Sequence, residues 1–196
     1  MPQVRHFIVH MRRAGRGNAP PLNRGLYLKP VSESVRDDVV IAVAEAFVDA
    51  FYSFDPDRLR ASLESARNSQ PAILFYQGWA EGENYAIVNR IPCKRRDAQA
   101  VSCSITVDDD LINALGIDFD ATDTFLLTFS DARIVAVETE SDDPQEYYAA
   151  RARVRENRRT LIEEPCRGYF DGGPTPEQCV QAMIQGFTEF VASDGR

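Results

Sequence analysis

Two stretches of alternating apolar and polar residues, 101–107 and 124–137, constrain the fold of this chain most strongly. Each puts every second side chain on one apolar face, as a β-strand with one buried side does. That face carries Val101, Cys103, Ile105 and Val107 in the first stretch, and Phe125, Leu127 and Phe129 in the second. The second stretch turns at 130–133 into a last strand, so the segment predicts an antiparallel sheet that is buried on one side.

Helix signals lie on both sides of these strands. Capping residues, some followed by proline at the first helical position, predict helices that begin at Ser34, Asp55, Ser69, Asp143 and Thr175. Helices, then a strand meander, then helices are typical of an α+β fold and not of alternating βαβ units. We therefore predict a flexible basic leader over 1–33, a sheet domain over 34–143 and a helical extension over 144–196.

A further strand is predicted from Tyr85 to Ile91, closed by Pro92 and the charged residues behind it. Period-two alternation places Asn89 on the same face as Ile87 and Ile91. An amide among apolar side chains suits the orientation of a ligand carbonyl, which makes Asn89 a candidate ligand-binding residue. The alternatives are an edge position or a buried amide bonded to the backbone.

Charge is unevenly divided along the chain. It holds 22 basic and 30 acidic residues, and residues 1–31 contain six of the basic and none of the acidic ones. Residues 32–196 therefore carry 16 basic against 30 acidic residues, a net charge of −14. Such a body repels phosphate, so we predict that it does not bind nucleic acid. The leader suits RNA, an acidic partner or an anionic membrane; the alternatives are a disordered segment or a start codon upstream of the true one.

The residue types that the body lacks exclude several chemistries. Both histidines, His6 and His10, lie in the leader. Of the two lysines, Lys29 lies in the leader and Lys94 in the body. Without histidine the body holds no Ser-His-Asp or Cys-His arrangement and no histidine metal site. Acid–base work in it falls to Asp, Glu, Tyr or Cys, and we predict neither a metal nor a cofactor.

The four cysteines form two local sets. Cys93 and Cys103 flank a hairpin centred near residue 98, and Cys166 and Cys179 bracket a loop rich in glycine and proline. Two disulfides are geometrically plausible, and each would stabilise the fold by about 3 kcal/mol. Four reduced, buried thiols are the alternative.

Apolar runs in the sequence are short. None approaches the roughly 18–20 residues that a membrane span requires, and none near the start reaches the apolar core of a secretory signal. We therefore predict a cytoplasmic protein without a transmembrane segment. Export is the alternative, if the cysteines pair and the first methionine is not the natural start.

The order of elements resembles the SnoaL-like branch of the nuclear transport factor 2-like superfamily, which includes ketosteroid isomerase. The resemblance covers residues 36–143 and is carried by VAEAFVDAFYSFDPDRL, AVSCSITVDDDLINALGIDF and TDTFLLTFSDARIVAV. It implies a cystatin-like cone, in which N-terminal helices close a curved antiparallel sheet over a pocket. The last hairpin departs from the family pattern because Ala132 stands where glycine is usual. A positive φ there would cost about 1 kcal/mol.

The resemblance puts apolar side chains at both oxyanion positions of the isomerase. The tyrosine position on the first helix falls on Phe47, and the position of the protonated acid falls on Phe125. Isomerase chemistry of the known kind is therefore not expected, although both residues remain candidates for the pocket wall. Tyr52, Tyr76 and Trp79 are further candidates for hydroxyl or indole donors and stacking surfaces, with core packing as the alternative.

Asp123 is the candidate catalytic residue. It precedes Phe125 by two residues and faces the same side if the strand extends that far. A carboxylate at the rim of an apolar pocket has a raised pKa and can act as acid or base, whereas an aspartate in the preceding turn faces water. Other acidic sets, at 108–110, 118–120 and Glu138 with Glu140, are expected to be solvated.

Two functional hypotheses follow. The first is a SnoaL-like pocket protein that binds a small apolar molecule and, through Asp123, acts as a carboxylate-assisted isomerase, cyclase or hydrolase. The second is a non-enzymatic binding or dimerisation module of the same fold, and a homodimer is expected. A pocket filled by Phe47, Phe125 and Trp79 would favour the second hypothesis. An open pocket with one unsatisfied carboxylate would favour the first.

Overall fold

Seven helices and four strands occupy the part of the chain that the computed structural model describes, residues 33–157, 159–167 and 177–194. The helices are α1 (Glu33–Phe51), α2 (Pro56–Ser62), α3 (Gln70–Gly82), α4 (Asp110–Ala114), α5 (Gln145–Asn157), α6 (Arg159–Ile162) and α7 (Glu177–Asp194). The strands are β1 (Ala86–Arg95), β2 (Ala100–Asp108), β3 (Ala121–Ser130) and β4 (Arg133–Ser141). They form one antiparallel sheet in the order β1-β2-β3-β4. The predicted α+β class and strand meander are confirmed.

The two faces of this sheet differ in chemistry, as the alternation in the sequence predicts. The inner face of β2 and β3 is buried, and it carries Val101, Cys103, Ile105, Val107, Asp123, Phe125, Leu127 and Phe129. The outer face is rich in hydroxyl groups. Two cross-strand pairs hydrogen-bond there, Ser104 with Thr124 at 3.1 Å and Thr106 with Thr122 at 3.2 Å.

Edge strand β1 differs from its prediction. It does not end at Pro92 but continues to Arg95, since an edge strand tolerates a residue that cannot donate to the ladder. Two register shifts interrupt its pairing with β2, and the first lies between Ile87 and Asn89. Ile87 therefore pairs with Val107 of the inner face, while Asn89 pairs with Thr106 of the outer face. The prediction that Ile87 and Asn89 share a face is wrong, because a bulge inserts one extra residue.

The same bulge turns Arg90 toward α1. Its guanidinium binds Glu45 at 2.6 Å and Asp49 at 2.5 Å, and the backbone N–H of Cys93 donates to Glu45 at 2.6 Å. Asp37 of α1 accepts from Arg95 at 3.0 Å. The helix begins at Glu33, one residue before the predicted cap at Ser34.

Helix α2 has the predicted cap, whereas the predicted N-cap residue of helix α3 makes no cap bond. The carboxylate of Asp55 accepts from the backbone N–H groups of residues 57 and 58, ahead of Pro56. Ser69 precedes α3 as predicted but makes no cap bond. Its hydroxyl accepts instead from the backbone N–H of Val137 at 3.0 Å, which fixes α3 to β4.

Two glycines allow α7 to pack closely on its neighbours. A Cβ built on Gly82 would lie 2.6 Å from the side chain of Val180, and one built on Gly186 would lie 2.7 Å from that of Val154. Helix α3 ends at Gly82, and the close approach of α7 explains why a glycine stands there. The C-terminal helices thus belong to the same compact unit as the sheet.

Both predicted cysteine pairs lie at disulfide distance. The sulfur atoms of Cys93 and Cys103 are 2.03 Å apart, and those of Cys166 and Cys179 are 2.09 Å apart. All four residues are buried. The predicted leader, except Glu33, and the predicted cap at Thr175 lie outside the described residues.

Candidate functional site

Asp123 is buried inside the fold. Only 1% of its surface is exposed, and it lies on the inner face of β3 opposite Ile105 of β2 and Ser141 of β4. The hydroxyl of Tyr52 donates to its Oδ2 at 3.4 Å, and the hydroxyl of Tyr76 also hydrogen-bonds the carboxyl group. Its Oδ1 has no partner among the described residues.

Burial raises the pKa of Asp123 from 3.8 to about 7. The hydrogen bond from Tyr76 opposes this shift, the carboxylate of Asp143 adds to it, and the bond from Tyr52 opposes it again. Removal from water dominates because burial costs the carboxylate more hydration energy than the hydrogen bonds from two phenols restore. Asp123 therefore changes charge close to neutral pH, as an acid–base group requires.

A second buried carboxyl group belongs to Glu83. It is 1% exposed, and Tyr85 and Trp79 hydrogen-bond it, while its Oε1 has no partner among the described residues. Burial raises its pKa well above the ordinary value, and the nearby Asp109 adds to the shift. Asp109 itself caps α4 by accepting from the N–H of Ile112 at 2.8 Å, and burial raises its pKa to about 6.

Two phenols connect these carboxyl groups. Tyr85 lies beside both Glu83 and Tyr76, and Tyr76 lies beside Asp123. Burial raises the pKa of both phenols well above 10, so they stay neutral. Glu83, Tyr85, Tyr76, Asp123 and Tyr52 thus lie next to one another in one network of carboxyl groups and phenols.

A cavity of about 190 Å³ lies beside this network, between α3, the end of β4 and α5. Five aromatic residues line it: Phe75, Tyr76, Trp79, Tyr85 and Tyr147. The rest of the lining is Thr139, Glu140, Ser141, Asp143 and Arg151. Tyr76 belongs to this wall and also contacts Asp123, so it connects the cavity to the buried acid.

The predicted pocket between α1 and the inner face of the sheet is filled. Phe47 packs on Phe125 with ring centroids 5.4 Å apart, and Phe51 packs on Phe125 at 4.8 Å. All three are fully buried. Phe47 and Phe125 are therefore core residues here, and the cavity lies on the other side of Tyr76.

The remaining predicted residues separate into two groups. Tyr52, Tyr76 and Trp79 meet at the network and the cavity, as described. Asn89 does not, because it is exposed on the outer face of β1, which is the edge position considered as its alternative. Glu138 is likewise exposed on the outer face.

The acidic run at 108–110 has structural partners. The side-chain amide of Asn113 donates to Asp108 at 2.8 Å, and that of Asn84 donates to Asp110 at 2.5 Å. Within the described ranges, no group of three or more His, Cys, Asp or Glu side chains is arranged to hold a metal.

Sequence reasoning missed Glu83, although a signal was present. Glu83 follows Tyr76 by seven residues and Trp79 by four, so the period of α3 continues onto it and puts it on the same face. Its position just beyond the helix end, after a glycine, is typical of a solvent-exposed side chain.

Comparisons with known proteins add no relative. No protein-family model, curated protein or solved structure matches the chain. In the described part of the chain, no helix is both long and apolar enough to cross a membrane.

Proposed function

We propose that the protein binds a small molecule in the aromatic cavity and exchanges a proton with it through Tyr76 and Asp123. One observation carries the proposal: a carboxyl group that is 1% exposed, with one unpartnered oxygen, contacts a phenol that lines a cavity. An unpaired buried acid is costly to stability, and strongly shifted acids in clefts concentrate at functional sites.

The size of the cavity narrows the ligand. A volume of about 190 Å³ is near that of an engineered cavity of about 150 Å³ that binds benzene, and below the roughly 300–1,000 Å³ of sites for drug-sized ligands. A molecule about the size of a single ring therefore fits best.

Tyr76 and Asp123 divide the chemistry between them. Tyr76 contacts the ligand, while Asp123 lies behind the phenol and acts through it. When Tyr76 gives its proton to a basic ligand atom, protonated Asp123 replaces that proton, so the phenol returns to neutral and the carboxylate carries the charge. The reverse sequence takes a proton from the ligand. A carboxylate-assisted isomerisation, cyclisation or hydrolysis uses these two steps.

A SnoaL-like cone is the fold to which we assign this domain. Three helices ahead of an antiparallel four-stranded meander support it. The paired, buried cysteines support residence in an oxidising compartment, and hence the exported alternative.

Binding is tested with a library of one-ring fragments. The readout is the fluorescence of Trp79, the one tryptophan of the chain. Tyr76→Phe keeps the ring and removes the hydroxyl, so we expect hits that carry a carbonyl or hydroxyl to bind about tenfold more weakly, the loss of one hydrogen bond. Thr188→Val, at an exposed position of α7, also removes one hydroxyl group and is the matched control, which leaves binding unchanged. A library without a saturable hit contradicts the proposal.

A non-enzymatic binding module is the second candidate. The stacked rings of Phe47, Phe51 and Phe125 favour it, because they occupy the centre of the predicted cone. Hits that bind but are never converted, with Asp123→Asn binding them as tightly as the native protein, support this reading over the enzymatic one.

A further inference from the structure

We propose that the ligand of the aromatic cavity is a small organic cation, such as an alkylammonium ion. This inference rests on the proposed binding function and names its ligand class. It replaces the apolar ligand expected from the sequence.

The lining itself selects for positive charge. Five aromatic rings face one small space, and ring faces attract a cation that lies within about 6 Å of the centroid. The carboxylate of Asp143 lies in the same wall and is held there by bonds from Ser141 at 2.8 Å and Tyr148 at 3.2 Å. Aromatic faces with a fixed carboxylate are suited to an ammonium group and repel an anion.

The structure already contains one cation on this wall. The guanidinium carbon of Arg151 lies 5.6 Å from the ring centroid of Trp79, and Arg151 also lines the cavity. The face of Trp79 therefore accepts positive charge in this environment. A ligand cation would compete with the guanidinium for that face, so Arg151 sets the affinity of the site.

Two buried carboxyl groups lie directly behind the rings. Glu83 contacts Trp79 and Tyr85, and Asp123 contacts Tyr76. Each has an oxygen without a partner among the described residues. When either carboxyl group ionises, a cation in the cavity stabilises the negative charge. An uncharged ligand does not provide this stabilisation.

The test compares tetramethylammonium with tert-butanol, a neutral molecule of similar shape, by the fluorescence of Trp79 at matched ionic strength. We expect saturable binding of tetramethylammonium, about tenfold tighter than any binding of tert-butanol. Equal binding of the two probes overturns the cationic ligand and leaves the proposed cavity function standing. If neutral fragments bind and tetramethylammonium does not, the cationic ligand is likewise overturned and the proposed cavity function stands. If no probe and no fragment binds, the proposed function itself fails.

Arg151→Met supplies the decisive variant. It keeps an unbranched stem and removes the competing charge, so we expect tetramethylammonium to bind severalfold more tightly. Arg153→Met is the matched control, because Arg153 lies over Phe190, 6.0 Å from its centroid, and does not line the cavity. Asp143→Asn should weaken binding severalfold. Unchanged affinity in both Arg151→Met and Asp143→Asn, with native circular dichroism, overturns the inference.

Discussion

Tyr52, the residue that directly follows α1, donates a 3.4 Å hydrogen bond to Asp123 of β3, which lies 71 residues further along the chain. With Tyr76 of α3 it encloses the carboxyl group between two phenols, in a place that water does not reach. The acid is thus held by the same helices that close the inner face of the sheet. Its ionisation is therefore coupled to the stability of the whole fold.

Stability should fall as pH rises from about 4 to 7. The pKa of Asp123 is raised from 3.8 to about 7, so the folded state keeps a proton that the unfolded state releases in this window, at a cost of order 4 kcal/mol above pH 7. Asp109, with a pKa raised to about 6, acts in the same direction. Chemical unfolding of the native protein across this window measures the slope.

Asp123→Asn isolates the contribution of this group. The amide keeps the shape and carries no charge, so the variant should unfold at higher denaturant concentration than the native protein at pH 8 and lose most of its advantage at pH 4. Asp118→Asn, at an exposed position, is the control. A variant curve that runs parallel to the native curve from pH 4 to 8 would contradict the raised pKa. Asp123→Asn should also abolish conversion of the cavity ligand.

Ala132→Gly should stabilise the protein by about 1 kcal/mol. Asp131 and Ala132 form the turn between β3 and β4 with φ of 50° and 58°, a left-handed conformation that a Cβ disfavours. Glycine removes this strain, at a smaller cost in the entropy of the unfolded chain. Ala136→Gly, within β4, is the matched control and should destabilise by about 0.5–1 kcal/mol. Equal effects of the two changes would show that the turn is not strained.

Gly82→Ala should destabilise the protein by about 1–3 kcal/mol, because the new methyl group would meet Val180 at 2.6 Å. Val180→Ala removes the obstructing atoms and leaves a gap of its own. The double variant should therefore be more stable than the sum of the two single effects predicts. Strictly additive effects in a double-mutant cycle would mean that the helices shift apart instead of overlapping.

Both cysteine pairs should be oxidised in protein purified without reductant. Intact mass spectrometry should then show the loss of four hydrogen atoms, and a thiol label should react only after denaturation and reduction, since the four residues are buried. Replacing Cys166 and Cys179 together by serine should cost about 3 kcal/mol. Full labelling of the unreduced, unfolded protein would show free thiols.

The sheet and the cavity differ in how much the sequence reveals of them. Alternation in β2 and β3 predicted their buried faces because period two and one-sided burial are both local patterns. The first bulge in β1 has no such signature, so Asn89 was placed on the wrong face relative to Ile87. Asp123 was found because it shares a strand face with Phe125. Its phenol partners, Tyr52 just after α1 and Tyr76 in α3, are distant from it in sequence, and no local pattern connects them to it.

The position of the cavity was beyond sequence reasoning for a related reason. Its walls come from α3, the end of β4 and α5, and they meet only through tertiary packing. The side chains expected to leave a pocket, Phe47 and Phe125, pack against each other instead. A single sequence shows that these rings are apolar but not whether they enclose space or fill it.

Tyr147 and Arg151 of α5 complete one wall of the cavity, and both follow the last strand of the sheet. A protein ending after β4 could keep the same sheet and the buried Asp123 yet have only an open depression beside Trp79. In evolution the cavity and the helix that forms one of its walls would therefore be gained or lost together. Homologues that lack α5 should accordingly have diverged in what they bind, even where their strands are alike.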